Sequence, residues 1–484
     1  MIELKPKVAV IGGGIAGASI ALYLGETGVD VTLFEQGKSL VNGPPMCHLH
    51  AGGNLYREIS DIQCKTLLEE SIDLMRFFPK GVDYRPTVIA TPKDDPHSPL
   101  DLLPRLKMLQ KAYESMIKKD PENKLLGEVD SYYKLYSYED VLKLKKRDLP
   151  KSAKCMDDWM VGVAKNSDLE KLQFPLIMVQ EFGLNMFRIA SILSLALSKK
   201  ENVQVKLKHK VTKIDKNSKN KWLLHYKHDR QKDSYPFDFI INAAGFRTGF
   251  FDDMIAIKPK RFVEFKAAYV TKWNESEIIW PEVIFHGKRG TPKGMAQFTP
   301  YPDGFFQLHG MTKDITLFED GLVQSTDKSA QPKLKQKFID KIDKDWDFTE
   351  VKERSQKAIN HLSNYIPTFK SAQVISKPLF GAQQIPGEDE SLRAANVSFE
   401  GENYARCEIV KASSVLSMAD EITNQLVKLG FVDQKYYKQR NFKTIASLGE
   451  EEINKYAKAL CKERGYPPSL AKRSMSKLSY EMCD

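Results

Sequence analysis

Cysteine is scarce in this sequence, and the cysteines that are present form none of the usual metal-binding or redox pairs. There is no CxxC pair, and no group of cysteines and histidines has the spacing of zinc ligands. We therefore expect no metal site, and six free thiols in a reducing compartment. The cysteines are Cys47, Cys64, Cys155, Cys407, Cys461 and Cys483.

Long apolar runs are lacking as well. The longest, such as residues 189–197, are interrupted by serine and fall far short of the roughly 20 residues that span a bilayer. The apolar N-terminus follows Glu3 and has no cleavage site after it, which argues against a signal peptide. We expect a cytoplasmic protein without a transmembrane segment, while peripheral contact with a membrane stays open.

The chain also has no internal repeat and no low-complexity tract. Its 484 residues exceed the length at which a single core stops growing, about 250–300 residues, so we expect two domains. Lys and Arg number 73 against 63 Asp and Glu, which gives a net charge of +10. The basic residues are scattered and often alternate with acidic ones, as in residues 335–344, so they favour a solvated surface over a nucleic-acid site.

The N-terminus contains a dinucleotide-binding fingerprint. Hydrophobic patterning predicts a strand at Lys7–Ile11 and a helix at Gly14–Thr27. Between them, Gly12–Gly17 has the GxGxxG spacing: the first glycine makes the turn, the second lets the backbone approach a pyrophosphate, and the third allows close packing. Glu35 ends the next predicted strand, where its carboxylate can accept a hydrogen bond from a ribose hydroxyl.

Val8–Glu35 resembles the N-terminus of the D-amino-acid oxidase, glycine oxidase and 2-hydroxyglutarate oxidase (DAO) superfamily of FAD enzymes. Ile240–Gly245 is similar to that family's VNAAG strand, and weaker matches at Gln180–Asn185 and Val203–Ile214 follow in the same order. The resemblance implies FAD as the cofactor. It also implies an α/β FAD-binding domain, Rossmann-like and of the glutathione-reductase type, beside an α+β substrate domain with a mostly antiparallel sheet.

The nucleotide-type segments alternate with the rest of the chain. This alternation predicts a discontinuous FAD-binding domain made of residues 1–55, 181–258 and 376–430. Residues 56–180 and 259–375 are then expected to form the substrate domain, and residues 431–484 a helical C-terminal extension.

Local patterns predict further elements within these segments. Aromatic and β-branched residues between turns predict an antiparallel sheet over residues 259–311. Helices are predicted at residues 333–365 and 407–429. Ser447–Glu450 has the sequence of a capping box, which predicts the start of a final helix.

Cys47–Asn54 corresponds to the segment that passes the flavin ring in the family. His50-Ala51-Gly52 is similar to the HAG of 2-hydroxyglutarate oxidases and to the HAAG of dimethylglycine and sarcosine dehydrogenases, in which the histidine can be bonded to the flavin. Covalent attachment, non-covalent flavin contact and a structural role of His50 all stay open. The chain departs from the family at Lys411–Ser414, where the usual glycine-rich GHG…G is absent.

The resemblance assigns the cofactor contacts to residues in several separate segments. They are Gly12, Gly14, Ile15, Ala16, Gly17, Glu35, Gln36, His50, Ala51, Gly52, Val211, Ala244, Gly245, Gly381 and Lys411.

Histidine and arginine are the candidates for catalysis and substrate binding. His309, in a segment that resembles an active-site strand of hydroxy-acid oxidases, or His50 could accept a hydroxyl proton as hydride leaves the neighbouring carbon. Arg57, Arg261 and Arg406 could bind a substrate carboxylate, because a planar guanidinium holds it bidentately. For His309 and each arginine, the alternative is a structural histidine or an ordinary ion pair.

These residues together predict an FAD-dependent oxidoreductase, either a dehydrogenase or an oxidase, that removes hydride from a small 2-hydroxy acid or amino acid. Oxidation of an amine or N-methyl-amine is the second hypothesis, favoured if His50 is covalently attached. A flavoprotein that acts on RNA is the third, suggested by the net charge of +10. Oxygen, a quinone and a carrier protein all stay open as electron acceptors.

Overall fold

The predicted strand–helix–strand unit opens the structure. The computed structural model describes residues 6–42, 59–273, 278–393, 395–437, 439–440 and 442–477. Successive side chains of the first strand point to opposite faces of the sheet, and both faces are buried. Val8 and Val10 pack in one core cluster, and Ala9 and Ile11 pack in another.

The strands belong to four sheets. They are β1 (Lys7–Ile11), β2 (Asp30–Glu35), β3 (Val82–Asp83), β4 (Thr87–Pro92), β5 (Tyr133–Tyr136), β6 (Leu172–Val179), β7 (Gly183–Leu184), β8 (Val203–Leu207), β9 (His209–Lys216), β10 (Trp222–His228), β11 (Gln231–Phe237), β12 (Phe239–Asn242), β13 (Arg261–Lys272), β14 (Glu282–Phe285), β15 (Ala296–Tyr301), β16 (Phe305–Gly310), β17 (Leu322–Gln324), β18 (Gln373–Val374), β19 (Leu379–Pro386), β20 (Asn396–Ser398) and β21 (Tyr404–Glu408).

The α-helices cover the sheets. They are α1 (Ile15–Glu26), α2 (Asp61–Phe77), α3 (Leu103–Lys119), α4 (Tyr138–Lys145), α5 (Met156–Asn166), α6 (Met186–Ser198), α7 (Thr248–Met254), α8 (Gln336–Asp343), α9 (Phe348–Ser363), α10 (Val415–Lys428), α11 (Lys443–Ala446) and α12 (Glu450–Glu463).

The N-terminal unit lies at the centre of a six-stranded sheet with the order β20-β21-β12-β1-β2-β8. All neighbouring pairs in it are parallel except β20 with β21. Helices α1, α6 and α10 share the core on one face, and the antiparallel sheet β11-β10-β9 packs on the other. This three-layer arrangement is the Rossmann-like α/β domain that the resemblance implies, and it places the fingerprint turn at the carboxyl ends of the parallel strands.

The second large sheet is mostly antiparallel and has the order β17-β13-β16-β15-β14-β4-β6-β5, with β18 and β19 also paired to β13. On β13, Phe265 and Tyr269 point into an apolar core that also contains Ile359 of α9. Since successive side chains of a strand point to opposite faces, Glu264 and Lys266 lie on the other face. The sheet therefore has one apolar face and one face that carries charged and polar side chains.

The C-terminal residues pack across both parts of the molecule. Arg188 of α6 donates to Glu450 Oε1 of α12 at 2.5 Å, and Tyr466 Oη donates to Pro378 O at 2.8 Å. Lys472 pairs with Asp303 at the turn between β15 and β16. Residues 443–477 thus connect the helical layer of the first sheet with one end of the second.

Two sequence expectations are corrected here. The predicted helix at 407–429 begins only at Val415, because Cys407 and Glu408 belong to β21 and pair there with the antiparallel strand β20. Ser447 does not cap the last long helix: Gly449 is the N-cap residue, and the Ser447 hydroxyl donates to Thr444 O at 2.8 Å. The helices predicted over residues 333–365 occur as α8 and α9.

The prediction of six free thiols is wrong, because Cys155 is not free. Cys64, Cys407 and Cys461 are free and buried, but Cys155 is in a disulfide. Sequence spacing does not reveal which cysteines lie close together in the fold. Cys155 therefore no longer supports the expectation of a reducing compartment. Within the described part of the chain, no helix is long and apolar enough to cross a membrane.

Candidate cofactor and active site

The fingerprint turn is held together by backbone contacts that require glycine. Gly12 has a φ of +101°, which L-residues rarely adopt, and its N–H donates to Phe34 O at 2.8 Å. A Cβ on Gly12 would overlap the Ala243 carbonyl oxygen, and one on Gly17 would overlap the Gly12 carbonyl oxygen. These two glycines therefore let α1, β1 and the segment after β12 approach each other closely.

Gly14 of this turn and Gly245, which lies shortly after β12, face open space. A Cβ on Gly14, the N-cap residue of α1, would meet no heavy atom within 4 Å, and the same is true of Gly245. Ile15 and Ala16 begin the helix directly after Gly14, so their N–H groups belong to the unpaired first turn. An open space at a helix N-terminus fits a pyrophosphate, whose negative charge the helix dipole stabilises.

Glu35 lies at the end of β2, beside the same turn. Its carboxylate accepts hydrogen bonds from Gly13 N at 2.7 Å and from Gly37 N at 2.5 Å. Burial raises the pKa of Glu35, and these two hydrogen bonds oppose the shift. Each oxygen keeps a further lone pair with which to accept a ribose hydroxyl. The next residue, Gln36, is exposed.

The remaining predicted cofactor contacts lie on several different elements. Val211 is buried in the core between the six-stranded sheet and the β9–β11 sheet. Ala244 lies two residues after the end of β12, Gly381 lies on β19 opposite Lys266 of β13, and Lys411 precedes the short turn that leads into α10.

Four predicted site residues fall outside the described residues. They are His50, Ala51, Gly52 and Arg57, so their predicted roles stay predictions.

A cluster of charged side chains occupies the polar face of β13. Glu264 accepts from Lys266 Nζ at 2.7 Å and from the Arg289 guanidinium, and Gln383 of β19 lies 3.3 Å from the same carboxylate. Burial lowers the pKa of Lys266 to about 8; Glu264 opposes this shift, and the cations Arg289 and Arg393 add to it. The pKa of Glu264 is lowered, because the neighbouring cations outweigh the effect of its burial. The cluster thus combines the cations Lys266, Arg289 and Arg393 with the carboxylate of Glu264.

His309 of β16 lies on the same face of this sheet. Gln307 is paired with Val270 of β13, and Val270 shares its face with Lys266 because residues two and four apart on a strand point the same way. His309 is 8% exposed, and its Nε2 lies 3.3 Å from Gln307 Nε2. The structure therefore places His309, Gly381 and the charged cluster on one face of the sheet.

Residues 7–121 match the model of the family described as DAO, FAD-dependent oxidoreductase. No curated protein matches the sequence. Residues 7–121 are therefore similar to the FAD-dependent oxidoreductases of this family.

Solved structures of DAO-type enzymes share the fold of almost the whole chain. Glycine oxidase from Geobacillus kaustophilus superposes with a TM-score of 0.55 at 12% identity, covering 90% of this chain and 100% of that one. L-proline dehydrogenase from P. horikoshii gives a TM-score of 0.55 at 13% identity, covering 90% and 96%. L-α-glycerophosphate oxidase from Mycoplasma pneumoniae, with FAD bound, gives 0.54 at 14% identity, covering 87% and 94%.

The turn at Gly12–Gly17 fits FAD. Gly14 and Gly245 leave space where a dinucleotide phosphate would lie, and Glu35 is fixed beside them. No group of three or more His, Cys, Asp or Glu suited to a metal ion occurs among the residues that the structure describes.

Arg261 lies away from the sheet face of the charged cluster, in a buried ionic network. It pairs with Asp252 and with Glu408 at 3.1 Å, and Arg406 lies 3.1 Å from the same glutamate. Arg261 and Arg406 are only 1% and 2% exposed. Their guanidinium groups thus face carboxylates of the protein, and we no longer propose either as a substrate ligand.

Sequence reasoning missed the charged cluster, although β13 carried a signal for it. Glu264 and Lys266 stand two apart in an otherwise apolar strand, so both must lie on one face. Charges at such positions are rarely buried unless they are paired or functional. Arg289 and Gln383 could not have been found in this way, because they join the cluster from distant parts of the chain.

Proposed function

We propose that this DAO-type oxidoreductase oxidises a small 2-hydroxy acid or amino acid, with transfer of the Cα hydride to FAD. The observation that carries the proposal is the group of positive charges on the polar face of β13: Lys266 and Arg289 contact the Glu264 carboxylate, and Arg393 adds a third cation near them. An anionic substrate would balance this charge in a partly desolvated site, where electrostatic attraction is stronger than in water.

Arg289 is the best candidate for holding the substrate carboxylate. Its side chain is 35% exposed, so it can be reached, whereas Glu264 beside it is only 5% exposed. A guanidinium has five N–H donors, and one contact with Glu264 leaves donors for a second carboxylate. Lys266, on the same face of β13, would add a point charge to the same anion.

His309 is the candidate for accepting a proton from the substrate. It lies on the same sheet face as the cluster, and Gln307 next to it can fix the orientation of the imidazole ring. An imidazole so placed can take up a hydroxyl or ammonium proton as the Cα–H bond breaks. When bound, FAD supplies the two-electron acceptor for the hydride.

The related structures support an anionic substrate. By their names, the three enzymes described above act on glycine, L-proline and L-α-glycerophosphate, each of which carries a carboxylate or a phosphate.

Anaerobic flavin bleaching tests the proposal, because it reports the reductive half-reaction whatever the electron acceptor. The holoprotein is mixed with 2-hydroxy acids, amino acids and N-methyl amino acids, and with the matching alcohols and amines that lack the carboxylate. We expect bleaching by at least one acid and none by its neutral counterpart. Bleaching by neutral amines alone would favour the amine-oxidation hypothesis. No bleaching by any compound, together with salt-dependent retention of tRNA in filter binding, would favour a role on RNA.

A further inference from the structure

The C-terminal extension reaches the dinucleotide site through one arginine. Arg464, directly after α12, donates to Ser39 Oγ at 3.0 Å, to Val41 O at 3.0 Å and to Leu40 O. Among the residues that the structure describes, every hydrogen bond of this guanidinium goes to the loop Ser39–Val41. Arg464 therefore fixes the path of the chain just after β2 and Glu35.

Val41 shows that this path is held under constraint. Its φ is +55°, a left-handed conformation in which a β-branched residue is strained. Such a conformation persists only where surrounding contacts enforce it. Here the Arg464 guanidinium binds the Val41 carbonyl, while the Val41 N–H donates to Gly13 O at 2.8 Å.

A continuous set of hydrogen bonds thus joins the extension to the fingerprint. Arg464 donates to Val41 O, and the Val41 N–H donates to Gly13 O. The Gly13 N–H in turn donates to Glu35 Oε2 at 2.7 Å. Burial raises the pKa of Glu35, and the positive charge of Arg464 opposes that rise, so the guanidinium also favours the ionised carboxylate.

We propose that Arg464 is a positioning residue for FAD, and that the C-terminal extension completes the adenosine end of the dinucleotide site. Without this arginine, Val41 can relax out of the left-handed region, and the Gly13 carbonyl and Glu35 lose their fixed orientation. The binding free energy of FAD would then include the cost of ordering this loop.

The test measures the dissociation constants of FAD and ADP for the apoprotein, together with its thermal unfolding midpoint without ligand. ADP contains only the adenosine and pyrophosphate half, so it reports the end of the site that Arg464 orders. Arg464→Ala should raise both constants about 10- to 100-fold, the range expected for hydrogen bonds from a charged donor. Arg464→Lys should recover only part of the affinity, because one ammonium cannot reproduce the planar fork.

Arg473→Ala is the matched control. Arg473 belongs to the same extension but donates to Pro79 O at 3.1 Å, Val82 O at 3.2 Å and Glu450 at 2.7 Å, away from the loop at Ser39–Val41. We expect it to lower the unfolding midpoint of the apoprotein without changing either dissociation constant. If Arg473→Ala and Arg464→Ala weaken ligand binding equally, or if neither does, the proposal is overturned.

Ser39→Ala provides a second route that does not depend on the stability of the Arg464 variants. It removes the hydroxyl that accepts from two nitrogens of the guanidinium but leaves the extension intact. A rise of about 3-fold in the ADP dissociation constant, with an unchanged midpoint, supports the positioning role. An unchanged constant contradicts it.

Discussion

Substitution of two glycines in the same turn should affect different properties: at Gly17 mainly the stability of the protein, and at Gly14 mainly its affinity for FAD. A Cβ on Gly17 would overlap the Gly12 carbonyl oxygen, which is backbone and cannot rotate away. Gly17→Ala should therefore destabilise the apoprotein by about 1–3 kcal/mol, the usual cost of overpacking. A side chain on Gly14 meets no heavy atom within 4 Å, so Gly14→Val should cost only the preference for glycine at an N-cap, about 0.5–1 kcal/mol.

Cofactor binding should follow the reverse pattern. The isopropyl group that Gly14→Val introduces would occupy the space in front of the first turn of α1, where we place the pyrophosphate. We expect the FAD dissociation constant of this variant to rise at least about 100-fold, which corresponds to about 2.7 kcal/mol. The effect of Gly17→Ala on affinity should be smaller and should follow from its lower stability.

Thermal unfolding of the two apoproteins by circular dichroism and titration with FAD by flavin fluorescence measure both effects. The reasoning fails if Gly14→Val binds FAD as tightly as the wild type, because the pyrophosphate would then lie elsewhere. It also fails if Gly17→Ala leaves the unfolding midpoint unchanged.

Three further predictions concern the substrate side, the ionic network and the loop before α2. Because the pKa of Lys266 is about 8, this residue loses its charge as the pH rises from 7 to 9. The dissociation constant of an acid substrate should therefore rise over that range in the wild type but stay constant in Lys266→Met. Rapid-mixing measurements of flavin reduction give both constants. Arg261→Met should lower the free energy of unfolding by about 1–3 kcal/mol, since Asp252 and Glu408 lose one of the two buried arginines that they share; a chemical denaturation curve like that of the wild type would refute this. His50→Ala should slow flavin reduction or weaken FAD binding, and acid precipitation tests its covalent attachment, because flavin that remains in the supernatant is not bonded to the protein.

Local rules were sufficient for the start of the chain. The strand β1, the turn at Gly12–Gly17 and the helix α1 follow from residues that are neighbours in sequence, and they occur close to where the patterns predict them. The strand that the resemblance implies at Ile240–Gly245 also occurs, as β12 over Phe239–Asn242. In these segments, the same residues determine the local structure and allow the backbone to come close to the cofactor.

Contacts between distant segments were not accessible to the same reasoning. Cys407 and Glu408 fit a helical pattern, but antiparallel pairing with Val397 and Asn396 of β20 makes them part of a strand. The charged cluster depends on the register of β13 with β19, which brings Gln383 to Glu264. Arg261 has the right chemistry for a substrate carboxylate, and only the fold shows that Asp252 engages it. The domain boundaries and the roles of the site residues stay predictions.

The most direct test of the proposed function combines Arg289→Ala with removal of the charge on the substrate. Once bleaching identifies an acid substrate, its dissociation constant and that of its amide are measured for the wild type, for Arg289→Ala and for Lys293→Ala. Lys293 lies on the same loop but is exposed and pairs with Asp94, which makes it the control. We predict that Arg289→Ala weakens the acid about 10- to 100-fold without affecting the amide, and that Lys293→Ala changes neither. An equal loss for acid and amide, or no loss for the acid, would contradict the assignment of the charged cluster as the substrate site.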